Sequence, residues 1–227
     1  MIRRLSAVLV AAFLATACGG EETAHPPAEA IAVNPSTIGT STAAAITIQY
    51  TPDGTPIYAQ NSPLWRSRIM QGTTTIGQAG GALCSVSMCL ARFAGTTKAP
   101  ITVDLHLDTN AGYYSGVAFH WNVAAGLIGW GAQQVPFSLA TVDAELDAGR
   151  AVVAGVSTDG GVTLAGATGT WVALTSKGFD SEGAIYNGVD AATGEVLALR
   201  ASSGALTGGS RNYTTTSELV TFTPPAP

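Results

Sequence analysis

Gly80-Gly81-Ala82-Leu83-Cys84-Ser85-Val86-Ser87-Met88-Cys89-Leu90-Ala91-Arg92-Phe93-Ala94-Gly95 is the stretch on which the fold turns. Leu83, Val86, Leu90 and Phe93 recur at spacings of three and four between glycine-rich turns, so residues 80–93 are expected to form a helix with one buried face. Two further helical stretches follow. Residues 116–130 are apolar over a helical length. Residues 138–148 carry Ser138 as N-cap, Leu139, Val142 and Leu146 on one stripe, and Gly149 just past the end.

Beyond Gly149 the pattern changes to short runs rich in Val, Ile, Leu, Thr and Tyr. Strands are expected at 150–157, 170–176, 184–190, 195–201 and 219–222, separated by turns such as Asp180-Ser181-Glu182-Gly183 and Ala192-Thr193-Gly194. Helices first and an antiparallel sheet second give an α+β layout. Residues 101–108 alternate strictly between apolar and polar and favour a strand, although Pro100 could instead open a helix there.

Composition bounds the function. The 227 residues are 46% apolar and 11% charged with a net charge of −5, enough to bury a core and too poor in basic residues for a nucleic-acid partner. Arg3 and Arg4 precede an apolar run from Leu5 to Leu14, about half of what a membrane-spanning helix needs. Residues 1–17 read as a signal peptide. Small residues ending on Cys18 resemble the lipobox of bacterial lipoproteins, which implies lipidation at Cys18 and an exported, membrane-anchored protein facing the periplasm or cell surface. Cleavage there removes two of the ten basic residues, and the net charge of −5 becomes −7. Residues 18–54 read as a flexible tether, 55–223 as one domain and 224–227 as a tail.

The domain's motifs resemble a family. TTTIGQAGGALCSVSMCLARFAG (73–95) is similar to the active-site helix of papain-like cysteine peptidases of the bacteriocin-processing, double-glycine-cleaving type. PIYAQNSPLW (56–65), AGRAVVAGVS (148–157), Thr170-Trp171-Val172-Ala173-Leu174-Thr175 and Tyr186-Asn187-Gly188-Val189-Asp190-Ala191 resemble the family's other segments, in the same order. The resemblance implies a papain-like fold, with N-terminal helices packed on the C-terminal sheet. It places the family's nucleophilic cysteine on Gly81, its histidine on Thr170 and its acidic or amide partner on Asp190. Glycine and threonine supply neither a thiolate nor a proton-carrying imidazole, so no catalytic residue is expected at these positions, and the degenerate domain is expected to act as a binding or structural module of the envelope.

A displaced nucleophile is the alternative. Cys84 is three residues after Gly81, about 60° round a helix and about 4.5 Å along it, and would need His106 or His120 as its base. An active cysteine peptidase or acyl transferase using Cys84 therefore stands beside the degenerate reading, and a plain surface lipoprotein without a ligand site stands third. Cys89 reads as a core thiol. Cys84 and Cys89 would be about 7.5 Å apart along a helix, too far for a disulfide. Asp104, His106 and Asp108 would share a side for a metal only if 101–108 were a strand, and the simpler reading is a solvated polar face, so neither metal nor cofactor is expected.

Aromatics carry the binding hypothesis. On the family's fold Trp65, Tyr113, Tyr114, Trp121, Trp130 and Trp171 would flank a cleft between the two halves. Gln60, Gln78, Trp65, Trp121 and Trp171 are the candidate lining, and a peptide or a cell-wall fragment is the partner that such a cleft would hold. The other reading is that these rings are ordinary core.

Overall fold

The structure, a computed structural model, describes residues 47–158 and 169–226. The expected signal peptide and the expected lipidation site Cys18 lie outside the described residues, as does most of the expected tether. In chain order the elements are β1 (Ile69–Gln71), β2 (Thr74–Thr75), α1 (Ile76–Ala79), α2 (Gly81–Ala94), α3 (Pro100–Thr109), β3 (Tyr113–Ser115) and β4 (Ala118–Phe119). Then come α4 (Trp121–Gly126), β5 (Gly131–Pro136), α5 (Leu139–Asp147), β6 (Val152–Ser157), β7 (Thr170–Asp180), β8 (Gly183–Asp190), β9 (Val196–Ser202), β10 (Ala205–Gly208) and β11 (Tyr213–Thr223). The fold is mixed helix and sheet.

Seven strands form one antiparallel sheet in the order β10-β9-β8-β7-β6-β11-β5. Because β10 also pairs with β11, through Thr207 opposite Thr214 and Gly208 opposite Tyr213, six of these strands close into a barrel and β5 extends it along the second half of β11. Strand side chains alternate between two faces. Val152, Ala154, Val156, Val172, Leu174, Leu197, Leu199, Leu206 and Leu219 belong to the barrel's own cluster, which Val142 and Leu146 of α5 join. Val153, Ala173, Val189, Val220 and Phe222 face the other way and pack with the α2 side chains Leu83, Val86 and Leu90. Ser85 Oγ donates to the Trp171 carbonyl at 3.1 Å, which ties α2 directly to the start of β7.

Local signals explain the elements that match expectation. Ser138 caps α5 by accepting from Thr141 N, and Gly149 follows at φ +74°, a conformation that a residue with a Cβ resists. The strands at 152–157, 170–180, 183–190 and 196–202 fall where the β-rich runs lie, β7 extending four residues further than expected.

Four expectations are corrected. Residues 100–109 form helix α3, not a strand: Pro100 occupies the first turn, Val103 and Leu107 are buried four apart, and Leu105 is 48% exposed, so the alternation is incidental. The helical stretch expected over 116–130 contains only the six-residue α4, preceded by β4 and followed by the turn Leu127-Ile128-Gly129. The strand expected at 219–222 is the second half of the much longer β11. The tether's last residues belong to the domain. Ile57 N donates to Gln49 O at 2.8 Å, Thr51 and Thr55 are buried, and Arg92 Nη1 pairs with Asp53 Oδ2 at 3.2 Å.

Candidate functional site

The N-terminus of α2 opens onto a cleft of about 740 Å³ between the helical half and the barrel. Gly81 begins the helix after a tight corner with α1. Glycine is required at residue 80, because a Cβ there would lie 2.5 Å from Ile76 O and from an Ile76 side-chain carbon. Gly80 offers no side-chain cap, and the first-turn N–H groups of Gly81, Ala82 and Leu83 have no preceding helical carbonyl to reach.

Three segments distant in sequence converge on Gly81. A Cβ built on Gly81 would meet Gln60 Oε1 and Thr170 Oγ1, each at 3.4 Å. Gln60 is held from two sides, its N–H donating to Ala191 O at 2.7 Å and its Nε2 to Gly77 O at 3.4 Å. Thr170 is fixed by its pairing with Val156 in the barrel. Gln78, Thr158, Trp171 and Arg211 add to the polar and aromatic lining. Gln78 also accepts from Thr75 N at 2.9 Å, fixing the approach to the helix.

Asp190 does not reach this trio. Its fully buried carboxylate accepts from Ala192 N (2.8 Å), Thr193 Oγ1 (2.8 Å) and Tyr213 OH (2.9 Å), and Arg211 Nη1 stands 3.6 Å away. The group is committed to the β8–β9 turn and to the start of β11. Burial, reinforced by the bond to Asp190, raises the Tyr213 phenol above its ordinary range.

The aromatic candidates separate into lining and core. Trp171 lines the cleft, and Trp121, its ring centre 5.0 Å away, lines a smaller adjoining pocket of about 170 Å³ together with Tyr114 and Glu218. Trp65 is a correction: it is 4% exposed, donates from Nε1 to Ala59 O at 2.8 Å and meets the edge of Tyr58, so it is core. Trp130 is another. It stacks on Phe93 at 4.4 Å beside a separate cavity of about 580 Å³ near the far end of α2. Tyr113 is engaged with Asp104 at 2.6 Å instead of the cleft.

The displaced nucleophile is not assembled. Cys84 and Cys89 are free and fully buried, and desolvation pushes both thiols well above their ordinary range. His106 Nε2 is 3.0 Å from Val123 O and its Nδ1 is 3.2 Å from Asn110 Nδ2, while His120 packs against the Tyr114 ring. The strand-based metal set dissolves with the helix. Arg68 takes Asp104 at 2.6 Å and Asp108 at 3.1 Å, and among the described residues no group of three His, Cys, Asp or Glu side chains could hold a metal.

Sequence reasoning missed Arg211, Val117, Ala118, Thr158 and Ala192 as cleft residues. Ala192 sits in the Ala192-Thr193-Gly194 turn, which carries no site signal of its own; the other four belong to no motif, and the barrel's closure and the short β3–β4 hairpin bring them to the cleft. The chain matches no protein-family model and no curated protein.

Proposed function

We propose that the protein is an exported, lipid-anchored envelope protein whose papain-like domain has lost its peptidase centre and works as a peptide-binding module. One observation carries the reading: Gly81 and Thr170, the positions to which the resemblance assigns the nucleophile and the imidazole, meet within one cleft together with Gln60, from the segment that resembles the family's upstream one. A central helix starting at that cleft and an antiparallel barrel supplying its other wall support the papain-like assignment. The chain keeps the walls and lacks the chemistry. With glycine and threonine where a thiolate and its base would stand, the cleft can hold an extended chain without cutting it.

Binding of a pool of N-acetylated peptides, followed by Trp fluorescence, tests the module. Trp171→Ala is expected to lower affinity with little change in melting temperature; a fall in stability with affinity retained would make the ring core and remove the cleft from the reading. Export and anchoring are tested separately. Radiolabelled palmitate is expected to enter the wild-type chain and not Cys18→Ala, and equal labelling of the two would overturn the anchor.

A further inference from the structure

Among the described residues that line the cleft, Arg211 is charged and none is an acid, although the chain as a whole carries a net charge of −5. Asp190, the carboxylate beside Arg211, is fully buried and already accepts from Ala192 N, Thr193 Oγ1 and Tyr213 OH. Arg211 makes loose contacts, Nη1 at 3.6 Å from Asp190, Nη2 at 3.4 Å from Thr158 Oγ1 and the guanidinium carbon 5.9 Å over the Tyr213 ring, and its side chain is 40% exposed. Donors therefore remain available to a ligand. The missing side chain at Gly81 leaves a notch between Gln60 and Thr170, beside the first-turn N–H groups of α2.

Resting on the peptide-binding reading, we infer that the cleft recognises the free C-terminal carboxylate of a peptide, seated in the Gly81 notch within reach of Thr170 Oγ1 and the α2 amides. Arg211 supplies the long-range attraction, and the preceding residues lie over Val117, Ala118 and Trp171. A group that a peptidase would create by cleavage is here the feature recognised. Two sources carry this chemistry, an ordinary peptide end and the D-alanine end of a cell-wall stem peptide.

The test uses the full-length 15N-labelled protein and three probes: N-acetyl-tetra-L-alanine, its C-terminal amide, and N-acetyl-L-Ala-L-Ala-D-Ala-D-Ala. Amide shifts of Gly81 and Ala82 and indole shifts of Trp171 are followed during titration. At least one acid is expected to bind at least tenfold more tightly than the amide, with affinity falling as salt rises; the better of the two acids identifies the source. Gly81→Ala fills the notch at ordinary contact distance, so it is expected to weaken acid binding about tenfold while the protein melts no lower. Arg211→Gln is expected to weaken acid binding and flatten its salt dependence. Equal binding of acid and amide would overturn the carboxylate and leave the peptide module standing. No shift with any probe would overturn both.

Discussion

Gly81 and Thr170 face each other across a gap that one methyl group would fill: a Cβ on Gly81 would stand 3.4 Å from Thr170 Oγ1. The two residues are 89 positions apart and belong to different halves of the domain. Ser85, one turn into α2, holds them in register by donating to the carbonyl of Trp171. The alignment of helix start and strand start is thus a backbone property, independent of which side chains occupy the two positions.

A thiol placed at that point should behave unlike the native ones. Gly81→Cys is expected to fold, since its Cβ makes only ordinary contacts, and to alkylate rapidly with iodoacetamide in the native state, with its pKa lowered by the helix N-terminus. Cys84 and Cys89 are expected to stay unmodified until the protein unfolds, because both are fully buried. Intact mass over a pH series separates the three, and native alkylation of Cys84 would revive the displaced-nucleophile reading.

Asp190 is expected to matter for stability. Asp190→Ala removes the acceptor of Ala192 N and Thr193 Oγ1 and the nearest carboxylate to Arg211, and leaves Tyr213 OH only its longer contact to Glu195 at 3.4 Å, at a cost of about 3 kcal/mol. Chemical denaturation reads the difference, and a change below about 1 kcal/mol would show that water replaces the carboxylate freely.

Tyr58 and Tyr213 offer opposite outcomes from the same substitution. The Tyr58 hydroxyl is buried without a hydrogen-bond partner; a backbone group of Lys98 is close enough to moderate its pKa but not in bonding geometry. Tyr58→Phe is expected to raise stability by about 1 kcal/mol, whereas Tyr213→Phe, which leaves Asp190 short of a donor, is expected to lower it by about 2 kcal/mol. Denaturant midpoints of the two variants decide the point.

Alkaline pH should unfold the protein through the same groups. Burial pushes Tyr58 up to about 12, and burial with hydrogen bonds to Asp104 and Asp190 raises Tyr113 and Tyr213 as well. A phenol whose folded pKa lies above its unfolded value stabilises fully below about pH 10 and loses that contribution as pH rises toward the folded value. Stability is therefore expected to be flat from pH 8 to about 10 and to fall above it. Absorbance of tyrosinate should lag in the native state, and full ionisation of all six tyrosines at pH 11 without unfolding would contradict this.

Acid pH acts through Asp143 on a smaller scale. Its burial opposes ionisation, but hydrogen bonds from Lys177 (2.9 Å) and Tyr186 (2.8 Å) outweigh it and hold the carboxyl below its ordinary value. The contribution is present above about pH 4 and is lost as pH falls through the folded value. Since the side chain is 37% exposed, the stability gap between wild type and Asp143→Asn at pH 7 is expected to be about 0.5 kcal/mol and to close below pH 3.

The sequence was most legible where local chemistry alone decides. Leu83, Val86 and Leu90 mark α2, Ser138 and Gly149 bracket α5, and the β-rich runs locate β6 to β9. Residues 101–108 were misread because the cause of their conformation lies elsewhere: Asp104 is buried on a helix since Arg68, 36 residues earlier, and Tyr113 both bond it at 2.6 Å. β5 and β10 carry weak local signals and exist through their neighbours. For the site, Gln60, Gln78 and Trp171 were legible through motifs. Arg211 was not, and Trp65 was misplaced because an aromatic residue's face cannot be read without its partner Tyr58.

The last strand has a consequence for how the chain can fold. β11 pairs with β6, β5 and β10 at once, so three edges stay open until residues 213–223 are present. No earlier portion can complete the barrel, and pairings this remote in sequence form slowly. A ribosome-bound chain therefore lacks the closed barrel until residues 213–223 have emerged. Truncation before Tyr213 would instead leave exposed strand edges, the usual seed of aggregation.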